Sequence, residues 1–307
     1  MADTSLPSDP LWPRAAHWIV PASPADNPRC DIALLGIPAF ETSITPTGAH
    51  ATPAAVRDAL LRYSTYAASR DIDVAALTAL DFGDVSRPDF PDGEARVTRA
   101  VARVVESRAS LLIALGGDNS ITYPVVRALA GDALADFGLV TVDAHHDLRD
   151  GITNGSPVRR LIEAGLPGTN IVQIGIADFS NSAAYAARAA EHGITVIHRA
   201  EFARRPLPQL LAYALERAGA GGRPVFVDLD VDVCNRAEVP GCPSAAPGGI
   251  TAAELRDIAF LVARDPRVVG IDITEIDATT DAHDQRTVRL AALLVLEAAA
   301  GVIARTY

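Results

Sequence analysis

Four short stretches concentrate the side chains that can do chemistry. "DAHHDLRDGITNGSP", residues 143–157, ends an apolar run with Asp143, His145 and Asp147 at alternate positions. "VFVDLDVDV" carries Asp228, Asp230 and Asp232, "GIDITEI" carries Asp272 and Glu275, and "GGDNS", Gly116 to Ser120, follows "LLIAL". Residues at i, i+2 and i+4 of an extended chain share a face, so Asp143, His145 and Asp147 converge if strand geometry continues, and Asp230 and Asp232 have the same spacing. Carboxylates gathered in this way repel and raise one another's pKa unless a cation lies among them. Oxygen donors with one imidazole suit a hard or borderline divalent ion such as manganese rather than a thiolate-loving one. Two ions sharing carboxylates, about 3.5–4 Å apart, use this many acids and generate a nucleophile from water near neutral pH. Hydrolysis is the expected chemistry. One D-x-H-x-D alone fits a solvated loop, and an acid pair fits a turn; the signal is that all four stretches close strand-like runs.

Those runs belong to a regular pattern. "DIALLGI", "LTALDFG", "SLLIALGG", "GLVTVDA", "NIVQIGI", "GITVIH", "PVFVDLDVDV" and "VVGIDITEI" read as eight strands. Between them lie amphipathic segments such as "TPAAVRDALLRYSTYAAS", "GEARVTRAVARVVESR", "ITYPVVRALAGDAL", "SAAYAARAAEHG" and "TAAELRDIAFLVAR", several opening at Ser, Thr or Pro and closing at Gly. Strands alternating with crossover helices build a parallel sheet, whose functional residues gather at the carboxyl ends of the strands. We expect one α/β domain over residues 26–307, with residues 1–25 as a loosely ordered extension.

Composition narrows the partners. With 49% hydrophobic residues in 307, the chain buries a large core. Lys+Arg of 27 against Asp+Glu of 38, net −11, leaves no basic stripe for nucleic acid. No apolar run approaches the roughly 20 residues that span a bilayer, and the opening stretch lacks the basic start and apolar core of a signal peptide, so no membrane contact and a cytoplasmic location are expected. Cys30, Cys234 and Cys242, an odd number without C-x-x-C spacing, read as reduced thiols.

"GGDNS", "DAHHDLR", "VDLDVDVCNRAEVPGCPSAAPGGIT" and "GIDITEIDATTDAHDQRTVRLAALLVLE" resemble the four signatures of the arginase/agmatinase/formimidoylglutamase family, the ureohydrolases. "DIALLGIPAFETSITPTGAHATPAAVRDAL" is similar to that family's opening strand, glycine-rich loop and first helix. The resemblance covers roughly residues 30 to 305. It implies a three-layer α/β/α sandwich around a parallel eight-stranded sheet, a homo-oligomer (trimer or hexamer), two Mn2+ per subunit, and hydrolysis of a C–N bond in a small amidine or guanidino substrate. By the same resemblance Asp143 is the bridging ligand, and His145 and Asp147 each bind one metal. Counting back from Pro240 and Gly241 makes Asp230 and Asp232 the third signature's ligands and leaves Asp228 where the family usually has serine. Asn119 occupies the remaining ligand position. Glu275 matches the acid that holds the substrate's cationic nitrogens, and Asp147 is assigned the proton of the attacking water.

Two departures from the family pattern direct the substrate reading. The first signature is usually GGDHS; here an amide, a weaker donor than imidazole, stands at Asn119, so the metal there should be held more loosely. Where arginases and agmatinases place a shuttle histidine before a glycine, "ITNGSP" has Asn154, which does not shuttle protons near pH 7. Both changes count against arginase and agmatinase and fit formimidoylglutamase, which cleaves N-formimidoyl-L-glutamate to L-glutamate and formamide in histidine degradation. That substrate carries two carboxylates. Arg149, Arg159 and Arg160, with Asn154 and Ser156 on the same loop, are the expected substrate-binding set.

His146, on the opposite face from His145 if the strand continues, and His198 are expected to be structural; His283 sits in a loop the family places near the site. Two other readings stay open at this level: an agmatinase or guanidinobutyrase-type hydrolase releasing urea, and a degenerate member that binds metal without turnover. Against decay, five of the six ligand positions keep the family's residue type.

Overall fold

The computed structural model describes residues 9–23 and 29–305. Eleven strands and eight helices follow in order: β1 Ile19–Pro21, β2 Ile32–Ile37, α1 Thr52–Leu60, β3 Tyr66–Ala67, β4 Ile72–Asp73, β5 Ala79–Asp84, α2 Gly93–Glu106, β6 Leu111–Gly116, α3 Thr122–Ala130, β7 Gly138–Val142, α4 Pro157–Glu163, β8 Ile171–Ile176, α5 Ala183–Glu191, β9 Thr195–His198, α6 Leu207–Ala218, β10 Val225–Asp230, α7 Ala252–Ala263, β11 Val268–Thr274 and α8 Arg286–Ile303. Nine strands form one parallel sheet in the order β1-β5-β2-β6-β11-β10-β7-β8-β9; β3 and β4 pair separately as a short hairpin.

Every residue of β2, β6, β7, β8 and β10 is buried, as a sheet covered on both faces requires. Alternate residues serve opposite layers. Leu111, Ile113 and Leu115 pack in one core with Val56 of α1, Leu211 of α6, Ile258 of α7 and Val295 of α8. Leu112 and Ala114 face the other, with Val101 of α2, Val125 of α3, Leu161 of α4 and Ala189 of α5. The result is a three-layer α/β/α sandwich. Among the described residues no helix is long and apolar enough to cross a membrane.

The sheet has nine strands where eight were expected. The ninth comes from the stretch read as an extension: Ile19–Pro21 pairs with Ala79–Asp81, and the Trp18 indole N–H bonds the Leu77 carbonyl at 2.8 Å. Three residues ending in proline carry no alternation from which to read a strand. Residues 1–8 and 24–25 of that extension, with 26–28 at the start of the expected domain, lie outside the described residues. The first helix also stops earlier than its sequence suggests, at Leu60. There the Ala15 N–H takes the Tyr63 carbonyl and Arg14 bridges Ser64, drawing the chain out of the helix by tertiary pairing.

Candidate metal centre

β6, β11, β10 and β7 are consecutive in the sheet, so the four acid-bearing stretches leave its centre side by side. Their convergence does not come from continued strand geometry. β7 ends at Val142 and the next residues are irregular, with Asp147 in the left-handed region at φ 52. β10 ends at Asp230, whose carboxylate accepts the Asp232 N–H at 2.8 Å and caps a single 3-10 turn. Glu275, just past β11, is also left-handed at φ 63. Glutamate seldom adopts that conformation, though aspartate tolerates it; it costs of order 1–3 kcal/mol and persists where surrounding structure enforces it, often at functional sites. Gly117 supplies part of that enforcement. Its carbonyl accepts the Glu275 N–H, and a Cβ there would lie 2.3 Å from the Ala39 carbonyl oxygen.

Two groups of candidate ligands share Asp143. One is Asp143, His145 and Asp232; the other is Asp143, Asp147 and Asp228; within each, ligand atoms lie within 4.8 Å of one another. Opposed donors around a divalent ion with bonds of about 2.0–2.6 Å lie about 4–5 Å apart, so each group has room for one ion. His145 Nδ1 is 2.7 Å from Asp232 Oδ2 and 3.4 Å from Asp143 Oδ1. Buried Asp143 Oδ2 and Asp228 Oδ1 have no hydrogen-bond partner, which a cation would remedy. Asp230 is buried and lines the cavity but belongs to neither group.

Electrostatics points the same way. Burial and the charge of Asp232 raise Asp143 to about 6; burial, with Asp118, raises Glu275 to about 8. Burial and neighbouring carboxylates push Asp147, Asp228 and Asp230 well above the usual range. Burial would lower His145, but Asp232 and Asp143 overcome it and hold the imidazole at about 12. The doubly protonated ring acts as the nearest protein substitute for a metal charge. Burial would likewise raise Asp232, but His145 brings it below its ordinary value.

The Asn119 amide lies beside these acids. Its Oδ1 accepts from Thr122 Oγ1 at 2.9 Å and Thr274 Oγ1 at 3.2 Å. Its Nδ2 faces Asp147 Oδ2 at 2.6 Å and Asp228 Oδ2 at 3.5 Å. Glu275 Oε1 accepts the Asn119 N–H at 2.8 Å and Asn154 Nδ2 at 2.9 Å. Asn154 Oδ1 in turn takes the Ile44 N–H at 3.0 Å, closing residues 42–45 over the site.

A cavity of about 520 Å³ opens at the cluster, with His145, Asp147, Asp230, Asp232 and Glu275 in its lining. Arg149 and Asn154 line it, and Arg149 forms no ion pair among the described residues. The other expected loop residues do not reach it. Arg159 Nε bonds the Arg149 carbonyl and Nη1 pairs with Glu163. Arg160 stacks 3.7 Å from the Tyr123 ring centroid and pairs with Glu94 at 2.7 Å. Ser156 Oγ is buried against Thr153, bonding its carbonyl and N–H. Ser156 and Arg159 hold the loop to itself and to α4, and Arg160 ties it to α2 and α3. His146 is buried against Gln173 Oε1 at 2.6 Å, and His283 is exposed outside the cavity.

Sequence reasoning missed four further lining residues: Ser180, Asn181, Ser182 and Tyr185. Asn181 accepts the His146 N–H at 3.0 Å and donates to the Ala144 carbonyl at 2.9 Å, fastening the metal-ligand loop. "FSNSAAY" reads as a helix cap, which Ser182 is, so nothing marked its second use.

The family model described as "Arginase family" matches residues 30–301. A formimidoylglutamase of Halalkalibacterium halodurans is 37% identical over 282 residues, covering 89% of this chain and 88% of the relative. The crystal structure of formimidoylglutamase from Bacillus subtilis superposes with a TM-score of 0.91 at 30% identity, covering 100% of this chain and 97% of that one. Trypanosoma cruzi formiminoglutamase with Mn2+2 gives 0.87 at 25% identity, over 96% of this chain and 100% of that one.

Proposed function

The chain belongs to the arginase family, and from that premise we propose that it is a manganese-dependent hydrolase converting N-formimidoyl-L-glutamate and water to L-glutamate and formamide. The observation that carries this reading is the charge content of the cavity: buried acids and the Arg149 guanidinium, which has no ion-pair partner among the described residues, line the same space. The substrate has the complementary charges, a cationic amidinium at one end and two carboxylates at the other. Agmatine, which has no carboxylate, would leave Arg149 unused.

Asp143, His145, Asp147, Asp230 and Asp232 would hold two Mn2+, with Asn119 alongside; Asp143 belongs to both ligand groups and so would bridge. When bound, the ions supply Lewis acidity and a nucleophilic water near neutral pH. The protein does the rest. Both protein hydrogen bonds to Glu275 fall on Oε1, leaving Oε2 to orient the amidinium. Arg149 holds a substrate carboxylate in a charge-assisted bond. Water attacks the formimidoyl carbon, and Asp147 takes up its proton and returns it to the departing glutamate nitrogen. The C–N bond to glutamate breaks as the new C–O bond becomes formamide's carbonyl.

The reading includes a single catalytic domain over 26–307, to whose sheet β1 adds an edge strand, and a homo-oligomer of three or six chains, which light scattering would measure. It also includes a cytoplasmic location, supported by three free, buried cysteines. The test is a manganese-reconstituted assay offering formimidoylglutamate, agmatine, arginine and guanidinobutyrate in parallel. Formamide from the first alone is the expected result. Urea from any other would move the activity to a guanidino compound, and no turnover with metal bound would make the protein a non-catalytic member.

A further inference from the structure

A smaller cleft of about 390 Å³ lies where the chain leaves α1 and enters α7 and α8. On α8, Arg286, Arg289, Leu290 and Leu293 fall at i, i+3, i+4 and i+7 and so form one stripe along it. Arg256 of α7 and Tyr63, three residues past α1, face the same space. None of these residues lines the catalytic cavity.

The charges in this cleft do not balance. Arg256 gives Nε and Nη2 to Glu297 at 3.1 and 2.7 Å, and Arg286 pairs with Asp284 at 3.1 Å. Glu238, the acid in the lining, is engaged elsewhere: its Oε2 accepts the Ala252 N–H at 2.7 Å, at the positive end of α7. Arg289 is left over. Its guanidinium forms no ion pair among the described residues, and its Nε is buried with no hydrogen-bond partner. A buried donor without an acceptor is costly. The Tyr63 hydroxyl makes no hydrogen bond among the described residues; burial raises its pKa against the pull of the Arg289, Arg256 and Arg62 charges, which places it within reach of two of the cleft's guanidiniums.

We propose that this cleft binds a small carboxylic acid with an apolar body, its carboxylate on the Arg289 guanidinium and the Tyr63 hydroxyl and its body against Leu290 and Leu293. A guanidinium presents parallel N–H donors that match the two oxygens of a carboxylate, and of the three in the lining Arg289 alone lacks an acid among the described residues. The leucines favour an organic acid over a bare inorganic anion, which would leave them in water. The site is separate from catalysis and stands whether or not the proposed substrate is correct.

The probe is hexanoate, titrated by calorimetry into the full-length Mn2+-loaded protein, with hexanol and inorganic phosphate as controls lacking the charge or the apolar body. Hexanoate should bind the wild type more tightly than either. Arg289→Met should raise its dissociation constant by about tenfold or more, through loss of a charged hydrogen bond, and Tyr63→Phe by about 2- to 12-fold. Arg149→Ala locates the binding: it should keep one hexanoate per chain, because the cleft is intact. Arg289→Met should melt no lower than the wild type, since it removes an unpaired cation, and should keep the wild type's activity. Tyr63→Phe and Arg149→Ala read the same site if Arg289→Met does not fold. The proposal is overturned if hexanoate binds Arg289→Met as tightly as the wild type, if Arg149→Ala abolishes binding, or if phosphate or hexanol binds as well as hexanoate. A wild type that ignores hexanoate while Arg289→Met breaks up an oligomer in light scattering would make the cleft a seat for another copy's side chain, and the proposal falls.

Discussion

Without metal, the fold should lose stability as pH rises toward neutrality, and manganese should reverse that trend. Burial holds the carboxyls of Asp143, Asp272 and Glu275 at about 6, about 7 and about 8, against 3.8, 3.8 and 4.5 in an open chain. A group that binds its proton more tightly when folded favours the fold fully below its unfolded pKa and loses that advantage as pH climbs through the folded value. For these acids the loss begins near pH 4 and is complete only above about pH 8. His145, raised to about 12 from 6.5, acts in the same direction above pH 6.5. Because the acids share protons, their effects do not sum, and one group sets the scale. Glu275's span, from 4.5 to about 8, corresponds to about 5 kcal/mol at about 1.4 kcal/mol per pH unit. With an unfolding entropy of about 2.1 cal/mol/K per residue, that lowers the melting temperature of this chain by about 8 °C between pH 4.5 and pH 8. Bound manganese needs the deprotonated carboxylates, so binding releases protons and tightens with pH; in saturating Mn2+ the melting temperature should hold level or rise. The assay is scanning calorimetry across that range, in EDTA and in Mn2+. Asp228→Asn, with one buried acid fewer, should show a shallower metal-free slope than the wild type, which separates the cluster from general repulsion in a chain of net charge −11. A metal-free melting temperature that stays level or rises with pH would refute the reasoning.

Arg149→Ala should raise KM for formimidoylglutamate by about 10- to 150-fold with kcat little changed, from loss of a charged hydrogen bond worth about 1.5–3 kcal/mol; steady-state kinetics checks it. Arg160→Ala should leave KM unaltered and instead cost about 1–2 kcal/mol in urea unfolding, through the lost stack on Tyr123 and the pair with Glu94. In Gly117→Ala the added Cβ would meet backbone atoms of Ala39 at 2.3 and 2.5 Å. That should destabilise the fold by about 1–3 kcal/mol and displace Glu275, so activity should fall more than the thermal midpoint alone explains.

What could be read in advance divides along a physical line. Asp143, Asp228, Asp230, Asp232, Asp272 and Glu275 stood out because acids occupied places in or just after apolar runs where burial penalises them, and only chemistry accounts for such placement. The strands themselves were legible for the same reason in reverse: Leu111 to Leu115 is apolar throughout because both faces are covered. Residues that satisfy local rules gave no such signal. Ser182 is an ordinary helix cap that also lines the cavity. Arg159 and Arg160 looked like anion receptors by type and position, but their direction was set by a helix beginning at Pro157, which periodicity does not reveal over seven residues. Glu275 took left-handed backbone that glycine, asparagine and aspartate adopt far more readily, so no rule of turn chemistry could have placed it.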